Sequence, residues 1–236
     1  YTVAINASKL INGHTYVIEI TFTKQYYDSA IVRIYVTVQT IPTVASASKT
    51  SETLEYELST TITIWYNDSR TSTPIQNPDN KTYAIWQGST LVGTYELTSN
   101  PGGSWALILD TVGMGITPGT YTIYVYLEKA HHENRTLVIT LTVNTVATYA
   151  YAEPANITLY WDETGETKAY WNRTRDWAFI SGSYSFTVRD LDTGGDVTSI
   201  NAVTMSAGTD YYTVAINASK LINGHTYVIE ITFTKQ

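Results

Sequence analysis

The chain has 236 residues, of which 43% are hydrophobic and 15% charged, with a net charge of −7 and no cysteine. That length suits about two domains of ~100–150 residues. The missing cysteine removes disulfides, thiolate zinc sites and cysteine nucleophiles. An acidic balance of 21 against 14, with no basic run, argues against nucleic acid, and no apolar stretch approaches the ~20 residues that span a bilayer.

Twenty tyrosines, with abundant Thr and Val, suit pleated and half-buried surfaces, so the fold class is all-β. Taken in order, the first clear pattern runs from Thr15, with Ile18, Ile20 and Phe22 on one face and Val17, Glu19 and Thr21 on the other. A polar turn over 24–29 leads to Val32, Ile34, Val36 and Val38, alternating with Arg33, Tyr35 and Thr37. Two period-two runs around a turn predict an antiparallel hairpin with one buried face. Pro42 closes it, because proline cannot donate to a central ladder. Strands are then expected over 44–48, 54–58, 61–66, 83–87, 93–98 and 105–109, with 70–80 as a loop. Ile123, Val125 and Leu127 point inward on the next strand, and Leu137, Ile139, Leu141 and Val143 on the one after it.

Repetition organises the chain. Residues 1–25, YTVAINASKLINGHTYVIEITFTKQ, recur letter for letter as residues 212–236, at an offset of 211. Identity of that length marks either a slice of a longer array or a subunit that carries the segment twice. The chain starts inside a strand pattern with no signal peptide, so its natural N-terminus is expected further upstream. A second, diverged repeat runs at 105: residues 118–148 align without a gap on 13–43, and Trp65-Tyr66-Asn67 aligns on Tyr170-Trp171-Asn172. The reading is a 211-residue period holding two related domains of about 105 residues. Residues 1–41 are the C-terminal strands of a domain begun in a preceding unit, 42–146 is a complete domain, and 147–236 is a domain without its last strand.

Seven or eight short strands in that span describe a β-sandwich. Thr120-Tyr121-Thr122-Ile123 and Thr15-Tyr16-Val17-Ile18 resemble the tyrosine corner of immunoglobulin-like domains. Pro118-Gly119-Thr120-Tyr121 is similar to a turn of many prokaryotic surface domains. With the tandem pattern, the chain resembles tandem immunoglobulin-like antiparallel β-sandwiches of prokaryotic, archaeal included, cell-surface or filament proteins. The cysteine pair of antibody domains is absent, with Ile18 and Ile123 where a Cys would stand. The corner implies that Tyr16 and Tyr121 each anchor a turn through the phenol oxygen.

Sites are sparse. Sequons place candidate N-glycosylation on Asn6, Asn67, Asn80, Asn134, Asn156, Asn172 and Asn217, which would imply export. Asn67 and Asn172 hold the same position in the two domains and are expected at equivalent surface points. Asp190-Leu191-Asp192-Thr193-Gly194-Gly195-Asp196 looks like a calcium loop but departs from that template at Gly194 and Asn201, so an acidic turn is preferred. His131-His132-Glu133 reads as a solvated loop. Lys49 early and Asn144 late in one domain resemble the Lys–Asn isopeptide pairs of some bacterial pilins, but the aligned residues in the sister domain are Pro154 and Gln39, so no crosslink is expected. Asp162, Glu163 and Glu166 crowd one turn, and Trp161, Trp171 and Trp177 read as core or interface before they read as a sugar platform.

No catalytic residue, metal site or cofactor is expected. The function expected is a structural repeat unit of an extracellular filament or cell-surface fibre, polymerising head to tail with copies of itself and carrying covalent glycans. A cell-surface adhesin or carbohydrate-binding stalk, or an S-layer component, is the alternative.

Overall fold

The computed structural model describes residues 1–235, and they divide into two compact units, Tyr1–Thr145 and the remainder from Val146. The first unit opens with a separate two-stranded antiparallel sheet of β1 (Thr15–Phe22) and β2 (Ala30–Thr37). Its sandwich is built from β3 (Thr43–Ala47), β4 (Ser51–Glu55), β5 (Ser59–Asp68), β6 (Asn80–Gln87), β7 (Thr90–Glu96), β8 (Thr98–Ser99), β9 (Trp105–Asp110), β10 (Gly119–Glu128) and β11 (Arg135–Asn144). One sheet runs β4-β11-β10-β6-β7 and the other β3-β5-β9-β8. This is the immunoglobulin-like order, with the first strand split between the two sheets.

Alternation selects the core. Ile62, Ile64 and Tyr66 of β5 and Leu107 and Leu109 of β9 face Ile85, Ile123, Val125, Ile139 and Leu141 from the opposite sheet, and all are buried. Each such aliphatic side chain contributes about 1.5–3 kcal/mol relative to exposure. No residue of β1 or β2 belongs to this core. The sheets are antiparallel as expected, with one parallel pair: β4 pairs parallel with β11, Leu54 lying opposite Val143. The chain crosses from one sheet to the other between β3 and β4, so β4 reaches β11 in the same direction.

The tyrosine corner forms. Tyr121 is buried and its Oη donates to the Thr117 carbonyl at 2.7 Å. Tyr121→Phe should lower stability by about 1 kcal/mol, the net worth of one hydrogen bond, since exposed Thr117 can turn its carbonyl to water. Urea melts that leave the first unit's transition unmoved would refute the anchor.

The second unit contains β12 (Thr148–Glu153), β13 (Thr164–Arg173), β14 (Ser183–Asp190), β15 (Val203–Ala207), β16 (Tyr212–Asn217) and β17 (Tyr227–Thr234). One sheet runs β12-β13-β16-β15, matching β3-β5-β9-β8; the other, among the described residues, is β14-β17, matching β6-β10. Its core gathers Ala169, Trp171, Val188, Val203, Tyr212 and Val214. Trp171 stacks on Phe233 at 5.5 Å.

Candidate functional site: an open sheet edge

The recurring 25-residue segment shows its sequence in two settings. Local structure is the same in both. Asn6 and Asn217 each accept a hydrogen bond from the amide two residues on and cap a single 3-10 turn, Ala7–Lys9 and Ala218–Lys220. Gly13 and Gly224 turn the chain at φ +80° and +82°, which favours glycine. The Tyr16 and Tyr227 hydroxyls accept the amides of Ile11 and Ile222 at 2.7 and 2.8 Å. Tyr1 lies 5.3 Å from Phe22, and Tyr212 lies 4.9 Å from Phe233. These features are encoded within the segment.

Burial is not. Val214 is 1% exposed and Val3 43%; Tyr212 is fully buried and Tyr1 fully exposed. The copy at 212–235 is seated in a sandwich, while the copy at 1–25 carries the same apolar face bare. On β2 the contrast extends. The β1–β2 register pairs Thr15 with Thr37 and Phe22 with Ala30, and β10–β11 pairs Thr120 with Thr142 and Leu127 with Arg135, the same register 105 residues on. Ile139, Leu141 and Val143 of β11 are buried, yet their counterparts Ile34, Val36 and Val38 are only half-buried, and Val32 is exposed. A shallow groove lined by Val3, Ile20, Phe22, Val32 and Ile34 follows this face.

In the second unit the complementary feature is an empty strand position. Among the described residues β17 pairs only with β14, whereas its counterpart β10 lies between β6 and β11. Residues 156–160 align with β4, which pairs with β11 alone, and they form no strand. Both gaps have one cause: among the described residues nothing holds the place of β11 between β17 and 156–160.

The sequons scatter. Asn6, Asn134 and Asn156 are exposed, and Asn80 and Asn217 are half-buried. The expectation that Asn67 and Asn172 sit on the surface is corrected. They do occupy one position, opposite Val44 of β3 and Tyr149 of β12, on the strand face away from the core residues Tyr66 and Trp171, yet neither is exposed. Asn172 is 8% exposed, Asn67 is half-buried, and the side-chain oxygen of each is enclosed. The shared place in the fold accounts for the shared residue.

Asp190 is buried and accepts the amides of Asp192 and Thr193 at 2.9 and 3.3 Å, closing the acidic turn. Its other oxygen meets His225 Nδ1 at 2.8 Å, a partner that sequence reasoning missed because 35 positions separate the two. Asp190, Asp192 and His225 offer ligand atoms within 4.8 Å of one another, but each side chain is already engaged in hydrogen bonding. Burial raises the Asp190 carboxyl, and the hydrogen bonds from His225, Asp192 and Thr193 outweigh it, so it titrates below the ordinary 3.8. The hydrogen bond to Asp190 holds His225 above the ordinary 6.5, with the charges of Asp190 and Asp192 adding to it.

The pH dependence follows. The Asp190 contribution is complete above about pH 4 and falls away as pH drops through its lowered value. The His225 contribution is complete below about pH 6.5 and is lost as pH rises through its raised value. Melting temperatures of His225→Ala should therefore fall furthest below the parent between about pH 4 and 6.5, with the gap narrowing on both sides. His14→Ala, at the same place in the bare copy, should leave the profile unchanged.

The remaining clusters do not converge. Trp171 is core, whereas Trp161 and Trp177 are exposed, so the three tryptophans form no platform. Tyr149, Tyr151 and Tyr170 instead stack across β12 and β13, with Tyr151 and Tyr170 at 4.7 Å and 11°. Lys49 pairs with Glu52, whereas Asn144 lies opposite Glu55. The Glu163 carboxylate accepts the Tyr160 amide and closes a turn; Asp162 and Glu166 are exposed. His131 is exposed and touches Asn12, while Glu133 bonds the Thr43 amide and Arg135.

No family model matches the sequence, and no curated protein matches it. Among solved structures the chain is similar to the Yersinia pseudotuberculosis adhesin InvE, at 14% identity and a TM-score of 0.33, over 81% of this chain and 55% of that one. It is also similar to murine CRIg, at 12% identity and a TM-score of 0.28, over 44% of this chain and 97% of that one. The chain thus spans about half the length of the adhesin. Among the described residues no helix is long and apolar enough to cross a membrane.

Proposed function

We propose that this chain is a structural repeat unit of an extracellular filament or cell-surface fibre, joined head to tail with copies of itself, and that it is not an enzyme. One observation carries the reading: a single 25-residue sequence is buried in a sandwich at 212–235 and bare at 1–25. A bare strand at one place and an open edge at another are complementary but different surfaces. Such a heterologous contact does not close on itself unless the rotation happens to, so it propagates.

Electron microscopy and sedimentation of the full chain test this. Fibres that lengthen with concentration are expected, and Ile34→Asp, which charges the bare face of β2, should reduce assembly at least tenfold. A monodisperse chain at all concentrations would refute the proposal. Glycans belong to the same reading, with Asn134 in the exposed β10–β11 turn as the best-placed acceptor. Glycopeptide analysis of native material should find sugar there and none on Asn172.

A further inference from the structure

We propose that the strand β2 of a second copy of this sequence enters the second unit between β17 and residues 156–160, antiparallel to the first and parallel to the second. The inference rests on the head-to-tail reading and supplies its contact. Only one copy of the 25-residue segment can fill the corresponding places of a sandwich, and 212–235 already fills them. What a second copy adds is therefore β2 alone.

The register follows from pairings present in the chain. Because β1 and β17 share one sequence, the β1–β2 ladder transfers directly: Tyr227 opposite Val36, Ile229 opposite Ile34, Glu230 opposite Arg33 and Ile231 opposite Val32. The Arg33–Glu19 ion pair, at 2.8 Å, becomes Arg33–Glu230. On the other side, the β4–β11 ladder places Val36 opposite Ile157 and Val38 opposite Leu159.

The balance favours transfer. Strand pairing with β17 replaces equivalent pairing with β1, so backbone bonds and the ion pair are conserved. The gain is a second ladder along 156–160 and burial of Val32, Ile34, Val36 and Val38, which β1 alone leaves open. The position is one strand wide, so β2 must leave β1 to enter it. β11 cannot serve as the donor, since its apolar face is already buried.

The test uses the full chain with a synthetic peptide of residues 26–42. The native chain has no cysteine, so Glu230→Cys, at an exposed position, offers a single thiol. The peptide carrying Arg33→Cys should form the mixed disulfide at least tenfold more than the peptide carrying Tyr35→Cys, which is two residues out of register on the same face. Amides of 156–160 and β17 should gain hydrogen-exchange protection with one peptide bound, and Ile34→Asp in the peptide should abolish it. Equal crosslinking at both registers, or no protection at 156–160, overturns the proposal. Fibres that form undisturbed by excess peptide would keep the head-to-tail reading and overturn this contact. A peptide that locks in register onto chains that never assemble would uphold the contact and overturn the fibre.

Discussion

Replacing Tyr212 by alanine should remove the thermal transition of the second unit at room temperature, while Tyr1→Ala, the same substitution in the same 25-residue sequence, should change nothing measurable. Tyr212 is fully buried, with its ring 4.9 Å from Phe233, 5.3 Å from Phe179 and 5.4 Å from Tyr184. Its hydroxyl also accepts the Gly182 amide at 2.9 Å. Truncating a buried aromatic costs about 3–5 kcal/mol, and the orphaned amide adds to it. A domain holds only about 5–15 kcal/mol in total, and a sandwich with one strand position unfilled belongs at the low end. Tyr1 is fully exposed and has no such contacts to lose beyond Phe22. Calorimetry of both variants should show the first unit's transition unmoved in each. A shift of similar size in both, or in neither, would mean that the segment's burial is not what distinguishes its two copies.

The strands were legible because period-two alternation is a local signal, and nearly every buried residue of β5, β9, β10 and β11 follows it. The tyrosine corner was legible for the same reason, since Tyr121 reaches only four residues back. What escaped was non-local. The parallel turn of β4 onto β11 depends on which sheet the chain rejoins, and alternation is blind to that. Asp190 finds His225 across the paired strands β14 and β17, so neither residue advertises the other. Asn67 and Asn172 carried a true signal of equivalence that was read as surface chemistry. A sequon does not say how far its asparagine is covered, and near the ends of β5 and β13, where Asn67 bridges to Pro74 and Asn172 to Phe179, the side-chain oxygen is enclosed even on the face away from the core. Trp171 and Trp177 differ by only six positions, yet one is core and the other exposed, because β13 ends between them.

One position occurs three times at three degrees of completion, and substituting it should order the sites by what covers them. Ile123 of β10 is fully buried; Ile229 of β17 and Ile18 of β1 are only half-buried. All three lie two residues past a corner tyrosine, on strands of the same alternation, so intrinsic propensity cannot separate them. Ile123 has strands on both sides and the opposite sheet above it, and Ile123→Ala should cost the first unit about 2–5 kcal/mol, transfer and cavity together. Ile229 has the opposite sheet but only β14 beside it, so its neighbours can relax into the open edge and no closed cavity remains. Ile229→Ala should cost the second unit about 1–2 kcal/mol, nearer the transfer term alone. Ile18 has only β2 and no opposite sheet, and its substitution should leave both transitions unmoved. Adding the peptide of residues 26–42 closes the edge, and the cost of Ile229→Ala should then rise towards that of Ile123→Ala, because the methyl groups removed are now enclosed. Equal costs at Ile123 and Ile229 before the peptide is added would mean that β17 is already covered, and the open edge would not exist in solution.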